Sequence, residues 1–165
     1  MRITVVGSGG WGTALALVLE ENGHDVTLWS HRPEKAEELK RTRENPMLKG
    51  VRLPESLHLT ADLNAAGESD VVVMVTPSYA VRETAAKLRG IVKPGTVIVS
   101  ASKGIERGSS LRLSQVIDQE LGGSCPVVVL SGPSHAEEVG RHIPTGVVAA
   151  AERLEHAELV QDLFM

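Results

Sequence analysis

A doubly wound α/β fold, with a mostly parallel sheet of about seven strands, is predicted by three observations. Strand-like and helix-like segments alternate from one end of the chain to the other. Asp70-Val71-Val72-Val73-Met74-Val75-Thr76 is an almost unbroken apolar run, the pattern of a strand covered by helices on both faces. A glycine-rich turn, Gly7-Ser8-Gly9-Gly10-Trp11-Gly12, joins the first strand-like run to the first helical one.

The elements follow in order. Ile3-Thr4-Val5-Val6 reads as a strand, and Thr13-Ala14-Leu15-Ala16-Leu17-Val18-Leu19 as the helix after the turn. Asn22-Gly23 punctuates the chain before a second strand, Asp25-Val26-Thr27-Leu28-Trp29. Pro33 suits a first helical turn, so a charge-rich helix is expected from Pro33 to Lys40. Asn45 to Pro54 carries turn residues and is expected to be an exposed connection, and Pro54 argues against a long central strand around Leu57-His58-Leu59. Pro77 stops the strand that begins at Asp70. A helix from Val81 to Leu88, the strand Thr96-Val97-Ile98-Val99, a helix near Leu111 to Glu120 and the strand Val127-Val128-Val129-Leu130 continue the alternation. Gly146-Val147-Val148-Ala149-Ala150 and a helix from Glu155 to Phe164 complete it. In such sheets ligands bind at the carboxyl ends of strands, where Gly7, Ser30, Pro77, Lys103 and Gly132 are expected to gather.

At 165 residues the chain fits one domain with a substantial core. Its net charge of −4, with no basic block and no apolar run long enough for a bilayer, argues against nucleic-acid and membrane partners. Aromatic residues are only 2%, so Val, Leu, Ile and Ala must build the core. Met1-Arg2-Ile3-Thr4-Val5 is strand-like and has no secretory h-region, which points to the cytoplasm. Cys125, the single cysteine, lies beside an apolar run and is expected to be a buried packing residue. His24, His58, His142 and His156 have no metal-ligand spacing with Cys125, so no metal is expected.

The glycine turn sits in the strand–turn–helix context that dinucleotide binding needs. Gly7 permits the sharp turn, Gly9 lets backbone approach a pyrophosphate, and Gly12 lets helix and strand pack closely. Free N–H groups and the positive end of the helix dipole then hold the anion without a basic side chain. About 20 residues after such a fingerprint, an acidic residue commonly binds the adenosine ribose of NAD. Ser30-His31-Arg32 stands there instead, which favours the 2′-phosphate of NADP on Arg32, while NAD use stays open. The alternative for Arg32 is a solvated residue ahead of the helix, and His31 is placed to contact phosphate or adenine. Trp11 either shields the dinucleotide edge or packs into the core.

Two further loops follow strands: Ser100-Ala101-Ser102-Lys103-Gly104-Ile105-Glu106 and Leu130-Ser131-Gly132-Pro133-Ser134-His135-Ala136-Glu137-Glu138-Val139. Lys103 is a candidate to attract a substrate phosphate or polarise a carbonyl, since an ammonium is a compact charge with three donors. Ser134 reads as a phosphate or hydroxyl ligand. His135 lacks a nucleophile or acidic partner and reads as a loop-positioning residue, and Glu137 and Glu138 as a solvated helix start.

Together these loops, the opening turn and Pro144-Thr145-Gly146-Val147-Val148-Ala149-Ala150 closely resemble bacterial NAD(P)-dependent glycerol-3-phosphate dehydrogenases, over essentially the whole chain. The resemblance implies a Rossmann-like cofactor domain over residues 1–165. It implies that Gly10, Trp11, His31, Arg32, Lys103 and Ala136 contact the cofactor, beside the Gly7, Gly9, Gly12 and Pro77 already read from the turn and the strand ends, and that Lys103, Gly132 and Ser134 contact a sugar-phosphate substrate. Gly10 departs from the family pattern, where many relatives carry Ser, so a side-chain contact there becomes a backbone one. The implied reaction is reversible reduction of dihydroxyacetone phosphate to sn-glycerol 3-phosphate, a phospholipid precursor. Such enzymes continue into a helical domain that carries the catalytic lysine, so residues 1–165 alone are expected to bind dinucleotide and turn over little. Two other readings stay open, a free-standing NADP-binding regulatory module and the cofactor domain of another hydroxyacid or sugar-acid dehydrogenase. Leu159, Leu163, Phe164 and Met165 are either an exposed patch where the second domain docks and homo-oligomers form, or ordinary core.

Overall fold

Strand residues alternate between two apolar cores, one on each face of a single sheet. The computed structural model describes residues 1–165. Its strands are β1 (Arg2–Val6), β2 (Asp25–Trp29), β3 (His58–Thr60), β4 (Val71–Met74), β5 (Val97–Ser100), β6 (Val127–Ser131) and β7 (Val148–Ala150). They lie in the order β3-β2-β1-β4-β5-β6-β7. Every neighbouring pair is parallel except β6 and β7, which are antiparallel. The chain winds outward from β1 to β3, returns to place β4 on the other side of β1, and winds outward again. The reversal between β1 and β4 opens a crevice at the carboxyl ends of those strands.

The helices are α1 (Gly10–Glu21), α2 (Pro33–Thr42), α3 (Val81–Leu88), α4 (Leu113–Leu121), α5 (Ala136–Val139) and α6 (Leu154–Phe164). On one face Ile3, Val5, Val26, Leu28, Val71 and Val73 pack with α1 and with Val160 and Leu163 of α6. On the other, Val6, Trp29, Val72, Met74 and Ile98 pack with Val81, Ala85 and Leu88 of α3 and with Val116 and Ile117 of α4. The switch of face at each step along β4 explains why its sequence is continuously apolar. Each such side chain contributes about 1.5–3 kcal/mol by leaving water. Cys125 is buried in the second core, as its apolar setting predicts. No helix is long and apolar enough to cross a membrane.

One expectation needs correction, and one open alternative is decided. The connection from Asn45 to Pro54 is not simply exposed, because Asn45, Leu48 and Leu53 are each at most 2% exposed. Leu48 and Leu53 join the first core, so the segment is pulled onto α1 by its own apolar residues. At the C-terminal helix, Leu163 is buried in the same core and Leu159 and Phe164 pack against it. Ala157, Val160 and Leu163 recur at intervals of one helical turn and form its inner face. Of the four residues considered for an exposed patch, only Met165 is largely exposed. The exposed apolar side chains at this end of the sheet are instead Ile143, Val147, Val148 and Leu154.

Candidate functional site

β1 ends at Val6, and Gly7 turns the chain with φ +131°, a backbone conformation that favours glycine. A Cβ on Gly7 would stand 2.6 Å from the Val75 carbonyl oxygen, and one on Gly12 would stand 1.9 Å from the Gly7 carbonyl oxygen. These two glycines let the turn, the exit of β4 and the start of α1 nest together. Gly9 differs, since a Cβ there would meet nothing within 4 Å. It marks the open side of the turn, where a ligand can reach backbone. No side chain caps α1, so its first N–H groups and the positive end of its dipole remain available to an anion.

The crevice beside this turn has a volume of about 640 Å³. Gly7, Gly9, Gly10, Trp11, Gly12, His31, Arg32, Pro77 and Lys103 all line it, although the sequence distributes them over four loops. Thr76 also lines it, and its hydroxyl oxygen is buried without a hydrogen-bond partner. Ser30 does not line the crevice: it is buried at the end of β2 with an unpartnered hydroxyl. Another groove of about 630 Å³ lies between α1, residues 50–55 and residues 139–142, but none of the candidate cofactor or substrate residues line it.

A second recess of about 450 Å³ adjoins the crevice and is lined by Trp11, Lys103, Gly132, Pro133, Ser134, His135 and Ala136. Trp11 and Lys103 line both spaces and so mark where they meet. Trp11 is partly buried, and its indole N–H donates to the Ala101 carbonyl at 3.2 Å. Lys103 Nζ lies 5.5 Å from the centre of the Trp11 ring, within cation–π range. It donates to the Ser134 hydroxyl at 3.1 Å and approaches the Gly132 carbonyl at 3.4 Å. A Cβ on Gly132 would come within 2.8 Å of the Gly146 carbonyl, so glycine lets this loop lie against the entry to β7.

The loop that carries Lys103 is tied down behind the site. Arg82 of α3 makes paired hydrogen bonds to the Glu106 carboxylate, at 2.8 and 2.7 Å, and also donates to Glu120 of α4. The Arg82 guanidinium first, and the Ser109 hydroxyl second, hold the Glu106 carboxyl down at about 2. The same pairing raises the Arg82 pKa further above its ordinary value.

Several residues that line or brace the site escaped the sequence reading. Asn45 is buried, donates to the Ser8 carbonyl at 3.1 Å and the Thr13 hydroxyl at 2.6 Å, and accepts from the Met47 N–H. It braces the glycine turn from a distant segment and has no local signature. Met47 lies over the start of α1, and a Cβ on Gly10 would stand 2.5 Å from its carbonyl oxygen. Here Gly10 makes room for the returning segment. Tyr79, the only tyrosine, is 85% exposed at the rim. Its place two residues after Pro77, just beyond a strand end, was a usable signal. Lys35 lines the crevice one helical turn after Arg32 and donates to the Ser8 carbonyl at 2.6 Å. Its spacing from Arg32 was likewise visible.

The arrangement therefore offers an uncapped helix start for a diphosphate, cations at the β2 end, and a lysine–serine pair in a separate recess. Comparison with known proteins places it. The model for the NAD-dependent glycerol-3-phosphate dehydrogenase N-terminus matches residues 2–157. The glycerol-3-phosphate dehydrogenase [NAD(P)+] of Prosthecochloris aestuarii is 52% identical over 99% of this chain and 51% of its own length. That of Moorella thermoacetica is also 52% identical, over 99% of this chain and 49% of its own. The crystal structure of glycerol-3-phosphate dehydrogenase from Coxiella burnetii superposes with a TM-score of 0.90 at 35% identity, covering 98% of this chain and 50% of that one. This chain thus spans about half the length of the curated relatives it matches. With its glycine turn, switch-point crevice and lysine–serine recess in one doubly wound sheet, the chain belongs to the NAD-dependent glycerol-3-phosphate dehydrogenase N-terminal domain family.

Proposed function

We propose that the chain is the cofactor-binding domain of an NADP-preferring sn-glycerol-3-phosphate dehydrogenase, which interconverts dihydroxyacetone phosphate and sn-glycerol 3-phosphate for phospholipid synthesis in the cytoplasm. One observation carries the reading: Lys103 stands where the crevice and the recess meet, 3.1 Å from Ser134. A pure dinucleotide binder has no use for that pair.

The residues fit a dinucleotide. Gly9 leaves the helix start open, and Thr76, which lines the crevice, keeps a buried hydroxyl without a partner. Gly7, Gly9, Gly10 and Gly12 would hold the diphosphate through backbone, and His31 and Arg32 the adenosine end with its 2′-phosphate. Trp11, Pro77, Lys103 and Ala136 would border the end near the recess. When bound, a nicotinamide cofactor supplies the redox equivalent; the protein binds, orients and manages protons.

Lys103, Gly132 and Ser134 take the sugar phosphate in this reading. The ammonium neutralises phosphate charge or polarises the ketone oxygen, and Ser134 fixes its position while accepting one of its protons in a hydrogen bond. The general acid belongs to a further helical domain, in keeping with relatives about twice as long as this chain. Loss of a positioned acid costs about 10²–10⁴ in rate. The test is calorimetric titration of the purified chain with NADPH and NADH, with dihydroxyacetone phosphate-dependent cofactor oxidation followed in the same samples. Tighter NADPH binding with little turnover is expected. Failure to bind either nucleotide overturns the reading.

A further inference from the structure

We infer that Lys35 is a specificity-determining residue of the crevice: with Arg32 it forms the subsite for a phosphate monoester on the adenosine ribose. This rests on the reading of the crevice as a nicotinamide dinucleotide site.

Three features single out Lys35. It lines the crevice from the first turn of α2, alongside His31 and Arg32 at the carboxyl end of β2. Glu34, the acidic residue of that turn, does not line it. Second, the ammonium is fixed in place. Its Nζ donates to the Ser8 carbonyl at 2.6 Å, inside the glycine turn, and lies 3.6 Å from Met47 Sδ, a weak acceptor. An ammonium has three donors, so at least one strong hydrogen bond is left for a ligand. Third, the site is electrostatically unbalanced. Lys35 is half-buried, and its pKa is lowered first by desolvation and then by the Arg32 charge. Glu38 opposes this only as the weakest of the three influences. A half-buried ammonium and the exposed Arg32 guanidinium act on each other here, and a dianion placed between them turns mutual repulsion into paired attraction.

The alternative role for Lys35 is to brace the turn through Ser8, in which case it would serve every dinucleotide equally. The two roles separate in a ratio. Lys35→Gln, Lys35→Arg and Arg32→Gln are titrated calorimetrically with NADPH, NADH, adenosine 2′,5′-bisphosphate and 5′-AMP, and their thermal unfolding is compared with the parent chain. Lys35→Gln is expected to weaken NADPH and the bisphosphate about ten- to a hundredfold while moving NADH and 5′-AMP by less than about threefold. Lys35→Arg should recover most of the loss. Equal weakening of all four ligands, or none, overturns the inference. In that event an intact preference of the parent chain for NADPH, lost in Arg32→Gln, leaves the functional reading standing. If the parent chain binds NADH as tightly as NADPH, the NADP reading and the inference fall together.

Discussion

Lys103 and Ser134, 31 positions apart in sequence, meet at 3.1 Å across two loops. The contact forms because β5 and β6 are parallel neighbours and both loops leave the same edge of the sheet. Neither loop could place its residue alone.

Replacing Lys103 should therefore affect ligand and not fold. Lys103 is exposed, so Lys103→Met is expected to change stability by no more than about 0.5 kcal/mol. Loss of a charge-assisted hydrogen bond should weaken dihydroxyacetone phosphate binding to the NADPH-loaded chain by about 1.5–3 kcal/mol. Calorimetry and thermal unfolding of the same preparation check both halves.

The glycines of the turn should divide into two kinds. Gly12→Ala forces a Cβ to within 1.9 Å of the Gly7 carbonyl and is expected to destabilise the chain by about 3 kcal/mol or more. Gly9→Ala meets open space, so its stability cost should stay near 1 kcal/mol or below, as for loss of a glycine N-cap. Its methyl group projects into the ligand's path, and NADPH affinity should fall at least about tenfold. Urea unfolding and NADPH titration of the two variants separate fold from site.

Glu106 gives a signed pH dependence. Its folded pKa is depressed to about 2 from an ordinary 4.5, so the Arg82–Glu106 contact stabilises the folded chain fully above the ordinary value. The contribution falls as pH drops from 4.5 towards 2 and is gone below it. Glu106→Gln should accordingly unfold at a lower temperature than the parent chain at neutral pH, with the gap closing in that acid window. Scanning calorimetry between neutral and acid pH measures the gap, and a gap that widens on acidification contradicts the assignment.

The C-terminal helix should answer differently on its two faces. Leu163 is 3% exposed and Leu154 is 72% exposed. Leu163→Ala is expected to cost about 2–5 kcal/mol, whereas Leu154→Ala should stay within about 0.5 kcal/mol. Chemical denaturation of the two variants checks the difference directly.

Most of the crevice was legible in the residues because its signals are local. A strand, Gly7, Gly9 and Gly12 in sequence, and a helix specify the glycine turn within one stretch of chain. Arg32 follows from its place about 20 residues after the glycine fingerprint, and Pro77 from the rule that ligands gather at strand ends. Lys35 and Tyr79 obey the same rule and were within reach of it. Asn45 and Met47 were not, since their importance depends on a segment that returns to α1 under the pull of Leu48 and Leu53. The terminal helix shows the same limit: its apolar residues were plain, but which of them faces the sheet depends on how α6 is laid against it.

The sequence by itself determined the alternating elements, the parallel sheet buried on both faces and the glycine turn with its uncapped helix start, because periodicity, apolar runs and glycine positions act over a few residues. Only the tertiary structure decided that Gly10 yields to Met47, that Asn45 and Lys35 converge on the Ser8 carbonyl, and that Lys103 faces Ser134. Those relationships are set by strand order and close packing, which bring distant segments to one carbonyl or one recess, and no spacing along the chain encodes them.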